Sequence, residues 1–305
     1  MNYGKLLIQR LFCIGLGYSA TAYIEAFGGR FELICGSVQT AAKQKAVAES
    51  GIGGRSVASF VFDGRASDEL TQAMRTSTYI LVSAPPANTA NMALAAFNAG
   101  GGQAPLSVVY LSSLGVYGDH GGAEIDETAP LIPSAGRGHE RIAAEKAWLE
   151  FGRATGSPVA ILRLAGIYGP GRNALVSVAN GQARRIVKPG QVFNRIHVAD
   201  IAQMIDAAFA RRASGFYNGT DDEPAPPQDV IAYAAHLLGK TPPPEEPFDA
   251  AKTTMSPMAQ SFYAECKRAS NRKAKAELGL TLRYPNYRVG LDALFATGDH
   301  EGRRV

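Results

Sequence analysis

The hydrophobic positions of this chain follow two alternating patterns. Short apolar runs predict strands at residues 9–14, 31–36, 57–62, 78–83, 106–111 and 159–164. Between them, apolar positions recur with helical spacing and predict helices over residues 18–28, 88–99 and 138–155. Because parallel neighbours need long crossover connections, strands that alternate with helices indicate a parallel sheet. The first half of the chain is therefore predicted as an α/β fold with a doubly wound parallel sheet.

The pattern changes after Arg172. A short helix and two strands, near residues 184–188 and 192–196 on either side of a Pro189-Gly190 turn, are interpreted as an insertion. Beyond them, the pattern predicts a helix from His197, a strand at 216–218, and helices at 227–238, 271–278 and 289–295. The proline-rich segment 242–247 is predicted as a linker or exposed turn.

Composition narrows the class of protein. The 305 residues are 46% hydrophobic and 19% charged, with a net charge of +4, which suits one large or two closely joined globular domains. No apolar run reaches the ~18 residues that span a bilayer, and the start of the chain does not resemble a secretion signal, so a cytoplasmic protein without membrane contact is expected. Basic residues occur only in small groups, which argues against nucleic acid as a partner. Cys13, Cys35 and Cys266 have no metal-ligand spacing, and no metal site is expected.

The first strand ends in a turn that carries two glycines. Gly15 allows the tight turn, and Gly17 lets the backbone approach a pyrophosphate. Ala20 keeps the following helix close to the strand, while Tyr18 and Ser19 stand in the first helical turn, whose amides and dipole favour an anion. We predict a dinucleotide site here. A glycine turn without a ligand is the alternative.

The ends of the second and fourth strands indicate which dinucleotide binds. NAD-specific enzymes usually carry an acidic residue after the second strand, but this chain has Ser37 and Thr40 there, with Lys43 one helical turn later. NADP(H) is therefore favoured over NAD(H), since these groups can bind a 2′-phosphate. The alternative is that the two hydroxyls only cap the next helix. After the fourth strand, the small residues Ser83, Ala84 and Pro85 are predicted to form a wall against the cofactor.

Five segments together resemble the extended short-chain dehydrogenase/reductase superfamily, which includes nucleotide-sugar epimerases and dehydratases. They are Gly15–Ala20, Ser112–Gly118, Leu162–Arg172, Arg195–Asp200 and Phe216–Pro227. The nearest likeness is to an atypical bacterial branch of NAD(P)-dependent epimerase/dehydratase-like proteins. The resemblance implies a Rossmann domain over residues 1–165, with 197–218 returning to it, and a smaller C-terminal α/β substrate domain over 166–196 and 219–305. It also implies a small polar substrate, a class that includes sugar-derived molecules. A homodimer that pairs through the helix around Trp148 is a further possibility that the resemblance leaves open.

The resemblance also suggests catalytic residues. In active members a Ser orients the substrate, a Tyr transfers the proton, and a Lys four residues after the Tyr binds the nicotinamide ribose. Ser113 and Lys146 match the Ser and the Lys, but Ile142 stands where the Tyr belongs. Tyr117 or His139 are candidate substitutes for that Tyr. The alternatives are that Tyr117 packs in the interior and that His139 is an exposed residue at a helix start.

The same comparison leaves the substrate contacts open. Arg172 and Arg195 are candidate anion contacts, or else members of structural ion pairs. Sugar-nucleotide enzymes of the superfamily usually carry an Arg four residues before the His that corresponds to His197, and this chain has Phe193 at that position. Two functions follow: an oxidoreductase or epimerase that acts on a hydroxyl or keto group, and a dinucleotide-binding sensor without chemistry, which the missing Tyr favours.

Overall fold

The computed structural model describes residues 9–63, 66–86, 104–134 and 136–299. The predicted helix at 88–99 and the glycine turn after it lie outside these ranges. Within them, every helix is too short or too polar to cross a membrane.

The strands include a seven-stranded central sheet. In chain order they are β1 Arg10–Ile14, β2 Leu33–Val38, β3 Ala58–Val61, β4 Tyr79–Val82, β5 Ser107–Ser113, β6 Glu124–Ile125, β7 Val159–Leu164, β8 Gly166–Tyr168, β9 Arg185–Val187, β10 Arg195–His197, β11 Gly215–Gly219, β12 Glu245–Pro247 and β13 Arg268–Ala269. The central sheet has the order β11-β7-β5-β4-β1-β2-β3. Its pairs β1–β2, β1–β4, β2–β3 and β4–β5 are parallel. The predicted doubly wound α/β fold is confirmed, and the strand order reverses between β1 and β4.

The helices connect and flank these strands. They are α1 Tyr18–Phe27, α2 Ala41–Ser50, α3 Asp68–Arg75, α4 Gly136–Thr155, α5 Ala174–Ala179, α6 Val198–Arg211, α7 Pro227–Leu237, α8 Phe248–Ala251, α9 Pro257–Tyr263, α10 Arg272–Leu278 and α11 Tyr287–Ala296. Strands β2 to β5 follow the predicted strands within a few residues, and β7 matches its prediction at both ends.

Backbone contacts divide the chain into two units. Unit 1 comprises Met1–Ser112, Glu140–Leu162 and Ile201–Phe216, and unit 2 comprises Ser113–His139, Arg163–Asp200 and Tyr217–Val305. In unit 1, the core cluster includes Phe12, Val82, Tyr110 and Trp148. Ala144, Trp148 and Phe151 recur at helical spacing on α4, so one stripe of that helix enters this core.

Unit 2 has its own cores. One cluster joins Leu175, Val230 and Leu291, from α5, α7 and α11. A second is built around Ile186 and Tyr263. Both clusters consist of aliphatic and aromatic side chains from segments that are distant in the chain.

The two strands predicted around the Pro189-Gly190 turn do not pair with each other. β9 pairs in parallel with β12, and β10 pairs in parallel with β8. The segment predicted as a linker or exposed turn therefore contributes the strand Glu245–Pro247. Ion pairs support the first of these pairings, because Arg184 lies 2.6 Å from Glu246 and Arg185 lies 3.0 Å from Glu245.

Candidate functional site

A cavity of about 550 Å³ lies at the carboxyl ends of β1, β2 and β4. Its lining residues all belong to unit 1: Ile14, Gly15, Leu16, Gly17, Ser37, Val38, Gln39, Thr40, Lys43, Phe62, Ser83, Ala84 and Pro85. The cavity lies where the strand order reverses, which is where open α/β sheets bind their ligands. The lining brings together eight residues that the sequence predicted for cofactor binding: Gly15, Gly17, Ser37, Thr40, Lys43, Ser83, Ala84 and Pro85.

The glycines of the Gly15–Gly17 turn meet two different demands. Gly15 has φ +92°, and an added Cβ would lie 3.0 Å from the backbone nitrogen of Ala84. Gly17 has φ −93° and opens α1 without a side-chain cap, and an added Cβ there would meet nothing within 4 Å. Ala20 is completely buried. The turn is therefore tight at Gly15 and open to the cavity at Gly17, beside the amino end of α1.

Two serines form hydrogen bonds with the backbone of Gly15, one with its amide and one with its carbonyl. The Gly15 amide donates to Ser37 Oγ at 2.9 Å, and Ser83 Oγ donates to the Gly15 carbonyl at 2.6 Å. The amides of Ser83 and Ala84 both donate to the Ile14 carbonyl at 2.9 Å. The turn is thus fixed by the strands on either side of β1. The first helical turn carries Tyr18, partly exposed, and Ser19, buried.

The rim of the cavity after β2 is polar and exposed. Thr40 Oγ1 accepts from the Lys43 amide at 3.2 Å, so the capping role considered from the sequence is present. Gln39, Thr40 and Lys43 are exposed. None of the described residues that line the cavity is acidic.

Two residues of helix α4 that the sequence analysis did not single out, Arg141 and Glu145, contact strand β5. Ser112 Oγ donates to Glu145 Oε1 at 2.6 Å, and Arg141 Nη1 donates to the Leu111 carbonyl at 3.3 Å. Lys146 is exposed and Glu145 is buried. The sequence contains a signal for these contacts. Positions 141 and 145 lie on the same helix face as Ala144 and Trp148, and charged residues on a buried face usually have a polar partner.

Tyr117 is completely buried in unit 2. Its hydroxyl accepts from Arg163 Nη1 at 2.9 Å and donates to Asn218 Oδ1 at 2.9 Å. The Arg163 guanidinium lies 4.9 Å from the centre of the Tyr117 ring. Burial raises the pKa of the Tyr117 hydroxyl, against the opposing effect of Arg163. These contacts are those of a tyrosine that packs in the interior.

Replacing Tyr117 by Phe should lower the free energy of unfolding by about 1–3 kcal/mol, because buried groups of Arg163 and Asn218 lose a hydrogen-bond partner. Urea unfolding measures the change. The matched control is Tyr233→Phe, which removes an exposed hydroxyl bond of 2.7 Å to Asp292 and should change stability by about 0.5 kcal/mol or less. A stable Tyr117→Phe protein that had lost a measured turnover would instead make this hydroxyl a catalytic group.

The predicted substrate contacts are engaged with the main chain of unit 2. Ser113 Oγ accepts from the Gly115 amide at 3.1 Å. Arg195 Nη1 donates to the Phe193 and Ala225 carbonyls at 2.9 and 3.1 Å, and burial lowers the pKa of this guanidinium. Arg172 is exposed and pairs with Gly169 through backbone hydrogen bonds.

His197 and Asp200 also have local partners in unit 2. Burial lowers the pKa of His197 to about 4, so its ring is neutral near pH 7, and its Nδ1 accepts from the Ala199 amide at 3.1 Å. Its ring centre lies 3.9 Å from that of Tyr284. Asp200 accepts from the Arg283 and Tyr284 amides at 2.7 and 3.1 Å. Both residues therefore make structural contacts within unit 2.

Comparison with known proteins adds a family and several relatives. Residues 86–220 match the model of the NAD dependent epimerase/dehydratase family. A reductase from a Streptomyces species, 3-diazoavenalumate denitrifying reductase, is 29% identical over 139 residues. That alignment spans 43% of this chain and 45% of the reductase, less than half of either.

Solved structures match over nearly the full chain. A conserved protein of unknown function from Silicibacter pomeroyi is 42% identical, with a TM-score of 0.82 over 95% of this chain and 99% of that one. The dTDP-glucose 4,6-dehydratase of Bacillus anthracis, solved with NAD, is 15% identical, with a TM-score of 0.76 over 96% and 97% of the two chains. The UDP-glucose 4-epimerase of Thermus thermophilus, also solved with NAD, is 20% identical, with a TM-score of 0.74 over 97% and 100%.

The two nucleotide-sugar enzymes share the fold at low identity, and the family model covers the middle of the chain. The Rossmann-like parallel sheet is the architecture common to these structures. The chain therefore has the fold of these nucleotide-sugar enzymes, and its middle part, residues 86–220, is similar to the NAD dependent epimerase/dehydratase family.

Proposed function

We propose that this chain binds a nicotinamide dinucleotide in the cavity of unit 1 and uses it to oxidise or reduce a small polar substrate. The observation that carries the proposal is the Gly15–Gly17 turn, which opens at Gly17 onto the cavity beside the amino end of α1. A pyrophosphate there would accept from backbone amides and face the positive end of the helix dipole. A side chain at Gly17 would fill the space that the phosphates need.

The lining residues fit the rest of the cofactor. Val38, Phe62 and the small residues after β4 offer apolar walls for flat rings, and Ser37 and Ser83 keep the turn in place. The bound dinucleotide supplies hydride transfer, which this chain's own side chains do not perform. Solved relatives of the same fold contain NAD, which supports the same class of cofactor here.

Within this class, we propose NADP(H) as the preferred form. The rim after β2 carries Gln39, Thr40 and Lys43, and no acidic residue lines the described cavity. A 2′-phosphate would meet donors and a positive charge at this rim rather than a carboxylate.

Lys43→Gln should weaken NADPH binding about 5- to 10-fold and leave NADH binding unchanged, because only NADPH carries the charge that Lys43 faces. Titration calorimetry with both cofactors measures the two dissociation constants. Lys45→Gln is the matched control on the same helix, since Lys45 pairs with Glu49 and does not line the cavity. Equal losses for NADPH and NADH would contradict a 2′-phosphate contact.

The reaction we propose is reduction, oxidation or epimerisation at a hydroxyl or keto group of a small polar molecule, with sugar derivatives as first candidates. Ser113, at the end of β5, is the residue proposed to orient the substrate oxygen. The named activities of the relatives, a reductase, a dehydratase and an epimerase, support this class.

A second candidate is a sensor that binds the dinucleotide without chemistry. Two observations favour it: Ile142 replaces the family's proton-transfer Tyr, and the Tyr117 hydroxyl is buried between Arg163 and Asn218. Loss of NADPH absorbance with a panel of keto-sugars separates the two candidates. Turnover that disappears in Ser113→Ala supports the enzyme. Tight NADPH binding without turnover on the whole panel supports the sensor.

A further inference from the structure

Helix α4 directs two charged side chains to the carboxyl end of β5. Arg141 and Glu145 are one helical turn apart, and they contact the consecutive residues Leu111 and Ser112. Successive helix residues are about 100° apart around the axis, so Lys146 points elsewhere than Glu145. Lys146 is exposed, whereas Arg141 is partly buried.

The register of the sheet places the Arg141 contact next to the cavity. Val82 of β4 pairs with Tyr110 of β5, so Leu111 continues at the level of Ser83. Ser83 lines the cavity, and adjacent strands lie about 4.8 Å apart. The Arg141 guanidinium, hydrogen bonded to the Leu111 carbonyl, is therefore one strand away from the cavity wall.

The direction in which a dinucleotide lies across such a sheet indicates which part of it would lie near Arg141. Dinucleotides bind across the point where the strand order reverses, with one nucleoside on each side of the pyrophosphate. In the proposed binding mode, the adenosine lies at the rim after β2, which carries Gln39, Thr40 and Lys43, and the pyrophosphate lies at Gly17. The second nucleoside then extends over β4 and β5, where Arg141 is the cation that α4 presents.

We propose that Arg141, rather than Lys146, contacts the nicotinamide nucleoside of the cofactor. The inference rests on the proposed function of the cavity in unit 1. A guanidinium donates several hydrogen bonds from a fixed plane, which suits the paired hydroxyls of a ribose. It also keeps its proton at all working pH values, so it binds and orients without exchanging a proton. The buried Glu145–Ser112 bond keeps this part of α4 against β5.

The test compares Arg141→Gln with Lys146→Gln in the full chain. Titration calorimetry with NADPH and with 2′,5′-ADP separates the two halves of the ligand, because 2′,5′-ADP has no nicotinamide nucleoside. We expect Arg141→Gln to weaken NADPH binding at least tenfold and to change 2′,5′-ADP binding less than twofold. Lys146→Gln should leave both unchanged. Arg141→Lys, which keeps the charge and disturbs packing less, should recover part of the NADPH affinity.

Four outcomes would overturn the inference. The first is a loss of NADPH affinity in Lys146→Gln but not in Arg141→Gln. The second is an equal loss for NADPH and 2′,5′-ADP in both Arg141 variants, since a residue that only tethers α4 to β5 would disturb the whole cavity. The third is a wild-type protein that binds neither ligand, which overturns the proposed function as well. Wild-type binding with unaffected Arg141 variants rejects this inference alone.

Discussion

Replacing Gly17 by Asp should weaken NADPH binding by at least about 100-fold. The new carboxylate would occupy the space next to the amino end of α1, where the phosphates are proposed to lie, and would repel them. A factor of 100 corresponds to about 2.8 kcal/mol, which is within the cost of placing like charges together in a binding site. The fold should tolerate the change, because Gly17 has an ordinary negative φ and its added Cβ meets nothing within 4 Å.

Gly54→Asp is the matched control for this prediction. Gly54 also has open space around an added Cβ, and it does not line the cavity. Its φ of +71° is one that Asp adopts more readily than most residues. Fluorescence titration with NADPH should show wild-type affinity for Gly54→Asp and no measurable saturation for Gly17→Asp. Similar affinities for both variants would remove Gly17 from the binding site.

Replacing Trp148 by Ala should lower the free energy of unfolding by about 3–5 kcal/mol, the usual cost of removing a large aromatic from a core. Trp148 is 1% exposed and packs edge-on against Phe151, with ring centres 5.6 Å apart. It belongs to the core cluster of unit 1. The sequence resemblance associated the helix around Trp148 with subunit pairing, but in this chain its side chain is occupied inside unit 1.

Urea unfolding followed by circular dichroism measures this loss, and amide hydrogen exchange locates it. Protection should fall in β4 and β5, whose residues share the cluster. Phe262→Ala is the control, because Phe262 is 59% exposed and its removal should cost about 0.5 kcal/mol or less. A Trp148→Ala protein with wild-type stability but a changed oligomeric state would show that the side chain acts between subunits.

The central sheet was predictable because its signals are local. Apolar runs and helical spacing gave β7 at both ends and α1 within one residue, and the glycines after β1 gave the position of the cavity. The parallel pairs β9–β12 and β10–β8 were missed. The paired strands are short and distant in the chain, so neither an adjacent turn nor an alternation of apolar and polar residues indicates the pairing.

For the candidate site, the sequence indicated which residue types to expect, but it did not indicate which way their side chains point. Spacing from the family pattern selected Lys146, but only the helix face decides which side chain turns towards β5, and that face carries Arg141 and Glu145. The sequence likewise placed Ser37 and Ser83 at the sheet edge as cofactor residues. It could not show that their hydroxyls bond to the Gly15 backbone, which depends on the spacing of three neighbouring strands.

The central claim is that the cavity at the Gly15–Gly17 turn binds a nicotinamide dinucleotide. Titration calorimetry of the full wild-type chain with NADPH, repeated in the presence of 2′,5′-ADP, tests it most directly. The account predicts one saturable site per chain that 2′,5′-ADP competes for. If neither NADPH nor NADH produced saturable heat at millimolar concentration, the claim would be contradicted.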